Sequence, residues 1–525
     1  MDRKFLLLFL CGALALLLRP GNVHARDYYV SPQGDDSNPG TQDAPWQSVA
    51  RVNAATLGPG DRVLLQGGRR FVGTIELGRE DSGTADRKVV VTSYGVGQAV
   101  IDGRNGRAFT ANGCNYFVIR NLDVVGSGRK SGNTEDGIHV VDAQGMEIDQ
   151  VDVSGFRGNG LSADGVRDAR ITNVHAHETG AAGISVGYQR RSKNVYIGAC
   201  VARNNPGDPS NLTNHSGNGI VVANVEDAVI EYCEAANNGW DMPRRGNGPV
   251  GIWAWHGDRV VIQFCISHDN KSPGDDGGGF DLDGGMTNSV LQYNLSYNND
   301  GPGYFLCQFP GATVFRNNVV RYNISQNDGV KNNRRSGIDV YSASPNASDC
   351  QVYNNTIYNA HGPAVGFGGL PMPGVVFRNN IFVCSRDVVA GEAQRGRFEG
   401  NVYWSVDGKR LSFDGYDTLE RWSEATGQEK IGADIVGKYY DPLLEDPGSV
   451  ALTDPAALRA MAAYRLAPDS PCIGAGLPLA DHGGRDFWGN NVSASDKPAV
   501  GAFQPGPSHL RSPLDADRRV PAATK

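Results

Sequence analysis

The sequence predicts an all-β solenoid of stacked parallel strands, and three observations carry that expectation. A glycine followed by alternating apolar residues recurs from position 137 onward: GIHVV (137), GLSAD (160), GISVG (183), GIVVA (219), GIWAW (251), GFDLD (279), GYFLC (303) and GIDVY (337). Successive copies lie 23 to 36 residues apart, as expected of a repeat architecture in which each unit buries its apolar face on its neighbours. A second alternating segment follows the first in successive copies, as in ARITNVHAH, AVIEYCEAANN, VVIQFCISHDN and SVLQYNLSYNN. A period of two marks strands, because successive side chains on a strand point to opposite faces. Glycine, 69 of 525 residues, is about twice as frequent as usual, yet no Gly-X-Y period exists, so collagen is excluded. Hydrophobic residues at 40% suffice for a packed core. The net charge of −8 argues against a nucleic-acid partner.

The chain opens on a segment expected to lie outside the solenoid. Residues 1–25 read as a secretory signal, with Arg3 and Lys4 ahead of an apolar stretch from Phe5 to Leu18 and a small-residue cleavage site at Val23-His24-Ala25. Its removal takes away three basic residues and one acidic residue, leaving a net charge of −10. The expected product is secreted or periplasmic, with no membrane partner. Eight cysteines then remain. Cys200, Cys233 and Cys265 occupy the same place in successive repeats as Asn294, Asn323 and Asn355. Stacked at the strand spacing of ~4.8 Å, such asparagines would hydrogen-bond along the column. The cysteines would sit there as small buried apolar groups rather than as disulfides. The N-x-S sequons at Asn294 and Asn323 fall in this internal column, which argues against glycosylation there.

Alternation sorts the first strand of each repeat into faces. Ile138, Leu161, Ile184, Ile220, Ile252, Phe280, Tyr304 and Ile338 follow the glycine and should point inward. The next positions, His139, Ser162, Ser185, Val221, Trp253, Asp281, Phe305 and Asp339, should point outward. Two further along lie Val141, Asp164, Gly187, Ala223, Trp255, Asp283, Cys307 and Tyr341. Large aromatic and acidic side chains thus gather in the repeats from 251 to 337. Insertions such as NNGWDMPRRGNGP, DNKSPGDDGG and NDGVKNNRRS precede the glycine in those same repeats. Loops inserted at one corner of a solenoid build a wall beside the strand face, so floor and wall together should form a groove.

With these repeats, and with the opening DYYVSPQGDDSNPGTQDAPWQSVARVNAATLGPGDRVLLQGG and the later GQAVIDG, the chain resembles the secreted right-handed parallel β-helix proteins of the pectate lyase superfamily over roughly residues 27–400. The resemblance implies a right-handed single-stranded parallel β-helix with lead-in strands and an N-terminal cap over 26–107. The β-helix repeats with their groove-forming loops would span 108–400, and a C-terminal cap 401–505. Within that cap DTLERWSEATG reads as one short amphipathic helix. The Pro- and charge-rich residues 506–525 read as a disordered tail. The resemblance does not choose a reaction, since the superfamily contains hydrolases, lyases, epimerases and binders without catalysis.

Paired carboxylates are the sharpest chemical feature. Asp281 and Asp283 are two apart on one strand, which sets their carboxyls about 6–7 Å apart, and Asp339 is two coils from Asp281, roughly 9–10 Å. Inverting glycosidases hold their carboxyls about 6.5–9.5 Å apart and retaining ones roughly 5–5.5 Å, so this spacing favours inversion. Asp281 and Asp283 are the leading acid–base pair and Asp339 the substitute for either. Asp275 and Asp276 in the run DDGGGFDLDGG are candidates to hold calcium. Trp253 and Trp255 read as a platform for sugar C–H faces, extended by Trp240, Phe305 and Tyr341. Arg244, Arg245, Lys331, Arg334 and Arg335 lie in groove-side insertions, where they recognise carboxylate or sulfate or else pair with the acidic loops. His256 is either an acid–base group or the start of a turn.

Three functions stay open. The first is a secreted inverting glycoside hydrolase, a monomer with no required cofactor acting on a polysaccharide. The second is a polysaccharide lyase or C5-epimerase on uronate chains. There calcium or arginine neutralises the sugar carboxylate, and Lys331, Arg334, His256 or Tyr341 removes the proton. The third is a surface protein that binds glycan without cutting it.

Overall fold

A computed structural model of the chain describes residues 25–331, 336–493 and 497–506. The expected signal segment before Ala25, the tail beyond residue 506, and Arg334 and Arg335 lie outside the described residues. The chain winds as a right-handed parallel β-helix of the kind the repeats predict. One face is a ladder of 12 parallel strands, and the two other faces join into a sheet of 25 strands. Parallel pairing begins at the strand Asp27–Val30, which pairs with Arg62–Gln66, so stacking starts well before residue 108.

The glycine-led segments form the 12-stranded face in register. Ile220 pairs with Ile252, Ile252 with Phe280, Phe280 with Tyr304, and Tyr304 with Ile338. All of these inward residues are fully buried, as alternation predicts. The outward column runs Val221, Trp253, Asp281, Phe305, Asp339 and Gly366 in the same register.

Polar side chains set that register at the corners. The cysteine and asparagine column exists as predicted. The Cys265 N–H donates to Asn294 Oδ1 at 3.0 Å, and Asn294 Nδ2 donates to Asn323 Oδ1 at 3.1 Å. Asn323 Nδ2 donates to Asn355 Oδ1 at 3.0 Å, and the column continues through Asn380 and Asn401 to Glu429. The cysteines are free thiols. Asn294 and Asn323 are fully buried. Each column residue follows a residue at positive φ: Ala199, Tyr232, Phe264, Tyr293, Tyr322, Asn354 and Asn379. That left-handed step turns the corner, and for a residue with a Cβ it costs roughly 1–2 kcal/mol. The buried side-chain-to-backbone bonds beside it offset that cost.

A second column stands at the next corner. Asn205, Asn238, Asn270 and Asn299 each donate from Nδ2 to the residue above at 2.9, 2.9, 2.9 and 2.8 Å, ending on Asp328. Here too a residue at positive φ precedes each member: Asn204, Asn237, Asp269, Asn298 and Asn327. Each groove-side insertion leaves the helix directly after this column.

The far end differs from a simple cap over 401–505. The strand Val402–Ser405 still stacks on Ile381–Cys384. The expected helix forms at Leu419–Thr426 between an N-cap at Thr418 and a left-handed Gly427. It closes the end by burying Trp422 on Phe398, Tyr403 and Phe413. From about residue 440 the chain instead runs back along the outside of the coils. Val450, Leu458, Tyr464 and Trp488 cover Tyr293, Tyr297, Tyr322 and Tyr353, which would otherwise be an exposed aromatic stripe. Tyr297 and Gln326 bond to the backbone of Leu452 and Val450.

Asp328 marks where the second column stops. Burial raises its carboxyl to about 6, against the lowering effect of hydrogen bonds from Ser325 and Asn299. A carboxyl raised on folding contributes stability that is full below the unfolded value near 3.9 and is lost as pH rises through about 6. An asparagine there would have the partners that Asn299 has one coil earlier, a serine hydroxyl and a backbone carbonyl. Asp328→Asn is therefore expected to raise the unfolding free energy at pH 8 by on the order of 1–3 kcal/mol and to change it little at pH 4. Urea denaturation at the two pH values measures this, and an equal loss at both would contradict it.

Candidate functional site

The groove floor lies on the strands Val250–Trp255, Gly278–Leu282, Tyr304–Gln308, Ile338–Ser342 and Val365–Gly369. Its wall comes from the insertion that follows Asn270. A cleft of about 490 Å³ is floored by Phe305, Asp339, Tyr341, Gly366 and Gly368, with Asp275 reaching in from the wall. Gly366 is required there, since a Cβ would stand 2.3 Å from Asp339 Oδ1. Asp339 also takes hydrogen bonds from the backbone N–H and hydroxyl of Ser336.

The carboxylates gather as the register demands. Asp281 pairs across to Trp253 on one side and Phe305 on the other. Asp283 begins the turn after its strand, where its backbone N–H donates to Ala254 O at 2.8 Å and its Oδ1 accepts from Gly284 N–H at 2.7 Å. Burial pushes the Asp283 carboxyl up to about 7. The Asp276 carboxylate beside it adds to the rise, while the Cys307 thiol and the Gly284 N–H work against it. The Cys307 thiol is itself raised far above its ordinary value, by burial and then by Asp283, Asp281 and Asp276. These four side chains therefore share one electrostatic site. Asp276 is oriented by the Gly248 N–H at 2.8 Å. Its closeness to Asp283 joins the candidate calcium residues to the candidate acid–base pair.

The aromatic platform is only partly present. Trp253 is 5% exposed, because the insertion of the previous coil, which carries His215 and Asn218, folds over it. Its Nε1 donates to Asn218 Oδ1 at 3.1 Å and its ring meets His215 edge-on at 5.3 Å. It is wall packing, not an open sugar platform. His215 is pushed down to about 4 by burial and by Arg244. Trp255 stays half-buried among Tyr188, His256 and Phe309. Trp240 is 50% exposed on its loop, with the Arg129 guanidinium 5.8 Å from its ring. Tyr341 is exposed on the cleft floor, and Phe305 on the same floor is largely buried.

The basic residues separate. Arg244 folds back on Asn247, and Arg245 is exposed. Lys331 crosses to the neighbouring wall loop, donating to the carbonyls of Ser272 and Gly274, the latter at 2.8 Å. His256 does start a turn, at φ 48°. Burial lowers its pKa, and it packs against Gly285 and Phe309. Sequence reasoning overlooked Cys307 as a partner of Asp283 and stopped one coil short of Gly366 and Gly368. The glycine-rich VGFGG after the last recognised repeat was the available signal.

Comparison with known proteins gives a family. The model described as "Pel9A-like, right handed beta helix region" matches residues 28–336. Pectate lyase PEL9 of Emericella nidulans is 32% identical over 166 residues, 30% of this chain and 35% of that protein. A lacto-N-biosidase of Bifidobacterium longum subsp. longum is 44% identical over 72 residues, 13% of this chain and 4% of that protein. The matches thus span well under two thirds of either relative. The crystal structure of a GH136 lacto-N-biosidase from Eubacterium ramulus shares the fold at 20% identity and a TM-score of 0.51, over 67% of each chain.

Trp253→Phe removes a buried hydrogen bond and is expected to cost about 1 kcal/mol in urea denaturation, whereas Trp240→Phe on the exposed loop stays within about 0.5 kcal/mol. Equal effects would mean that the insertion does not cover Trp253.

Proposed function

The chain belongs to the Pel9A-like right-handed β-helix family, and from that membership and the groove chemistry we propose a polysaccharide-cleaving enzyme whose reaction is glycoside hydrolysis. The observation that carries this reading is the carboxyl of Asp283, held near pH 7 among Asp276, Asp281 and Cys307. A general acid for a leaving glycosidic oxygen must be protonated at working pH, and a second carboxylate must stay ionised to activate water. A carboxyl raised by burial beside other carboxyls is what the acid of such a pair needs. Asp283 is the proposed acid. Asp281 and Asp276 are the candidates for the ionised partner, with Asp339 extending the floor toward the cleft. Inversion is the proposed stereochemical course, on the spacing the sequence predicts for Asp281 and Asp283, with Asp283 standing at the turn that follows the strand Gly278–Leu282. Trp255 and Tyr341 offer ring surface to sugar, and export is proposed from the leading segment.

Elimination on a uronate chain is the second reading, favoured by the pectate lyase relative. In that reading Asp275 and Asp276 would hold a calcium ion that neutralises the sugar carboxylate, and a base of this chain would take the proton. Of the candidate bases Tyr341 stands on the cleft floor, while two others fit less well. Lys331 is engaged as a donor to two carbonyls, and His256 Nε2 is buried in an aromatic contact without a hydrogen-bond partner among the described residues.

Purified neutral and acidic polysaccharides, each assayed with and without a chelator, separate the readings. Hydrolysis yields new reducing ends with no ultraviolet absorbance from a new C=C bond, whatever the chelator. Absorbing product that disappears with chelator would favour elimination. On the hydrolytic substrate Asp283→Asn is expected to lose about 10²–10⁴-fold in kcat. Because the acid must carry its proton, kcat/KM should fall as pH rises through about 7. Full turnover by Asp283→Asn would remove this residue from the mechanism.

A further inference from the structure

A second cluster of chemistry-bearing side chains lies away from the groove, on the 25-stranded sheet in earlier coils. The strands Glu147–Ser154 and Arg167–His177 pair in parallel, with Asp152 opposite His175 and Ser154 opposite His177. Val151, Val153 and Ala176 point into the core. Alternation therefore sets Asp152, His175 and His177 together on the outer face. The side chains converge. His175 Nδ1 lies 2.8 Å from Asp152 Oδ2, and His177 Nε2 lies 3.0 Å from Asp152 Oδ1. The imidazoles stack at 4.6 Å, and the three donor atoms lie within 4.8 Å of one another. Asp123 stands one coil earlier, opposite Asp152.

The two histidines use different ring nitrogens to reach one carboxylate. A strand carrying both rings for mere surface packing has no need of that convergence. We propose that Asp152, His175 and His177 form a site for a divalent transition metal of the zinc or cobalt class, with Asp123 as the adjacent carboxylate. The donor set is two imidazoles and a carboxylate. That set suits zinc, with bonds of about 2.0–2.2 Å, and leaves a position for water or Asp123. It does not suit calcium, which takes six to eight oxygens. The donors have to move only modestly, since the metal replaces the protons now shared between the rings and the carboxylate. Arg203, which pairs with His177 from the next coil, is taken up by Glu234 at 2.5 Å. A metal there would clasp two successive coils without touching the groove, and so independently of the reaction proposed above.

The test uses the full chain without a polyhistidine tag, stripped with chelator and then titrated with zinc in a calorimeter and with cobalt in the visible spectrum. One equivalent is expected to bind, with a cobalt d–d band. His175→Gln/His177→Gln is expected to weaken zinc at least 100-fold and to abolish the band, while Asp283→Asn keeps both. X-ray absorption of the zinc-loaded wild type, which needs no variant, should count two imidazole nitrogens. Absent binding, binding undiminished in the double variant, or a shell of oxygens alone would overturn the proposal.

Discussion

The structure depends on side-chain amides stacked inside its corners. A parallel coil has no intrinsic register. A slip of one residue would turn each face strand over and send Ile252, Phe280 and Tyr304 to solvent. Asn294, Asn323, Asn355, Asn380 and Asn401 prevent that slip. Each donates to the next member and to a backbone carbonyl of the previous coil, and each accepts from the member before it. Such an amide is satisfied only when its neighbours sit directly above and below. Losing one leaves buried donors and acceptors without partners, a penalty of about 1–3 kcal/mol for each group.

The second column links this constraint to the site. Asn270 holds its coil in register, and the chain leaves directly after it to build the loop carrying Asp275 and Asp276. Gly277 then returns the chain to the face strand at φ 91°, and Asp281 and Asp283 follow. Asp276 is brought within electrostatic reach of Asp283 because both ends of that loop are fixed, one by an amide ladder and the other by strand pairing. Burial is what chiefly raises Asp283, and the Asp276 carboxylate adds to the rise. Raised carboxyls also close the two ladders, at Asp328 and at Glu429, which is pushed up to about 7 by burial. Those two are fully enclosed and bonded within the fold, whereas Asp283 keeps some exposure to solvent.

Much of the architecture was legible because it rests on period and recurrence. The inward residues from Ile138 to Ile338, the cysteine and asparagine column, and the helix around Trp422 follow from local pattern. The second column was present in the text as the second asparagine of ARNN and AANN, but variable insertions after it hid the alignment. Alternation correctly placed Trp253 on the outer face, yet it cannot say whether a loop from the previous coil covers that face. The path of residues beyond 440 was also hidden. Only the stacked tyrosines 293, 322 and 353, a stripe too apolar to leave bare, indicate in hindsight that something must cover them. Asp276 was visible as an acid but not as a neighbour of Asp283, because their closeness depends on how the loop returns.

In-register stacking buries Asp283 and keeps its carboxyl protonated toward neutral pH. Infrared difference spectra of wild type minus Asp283→Asn, recorded across a pH titration, test it without a substrate. The expected result is a protonated carboxyl C=O band that persists to about pH 7 and then gives way to carboxylate. A band lost near pH 4, the ordinary value for an aspartate, would contradict the account.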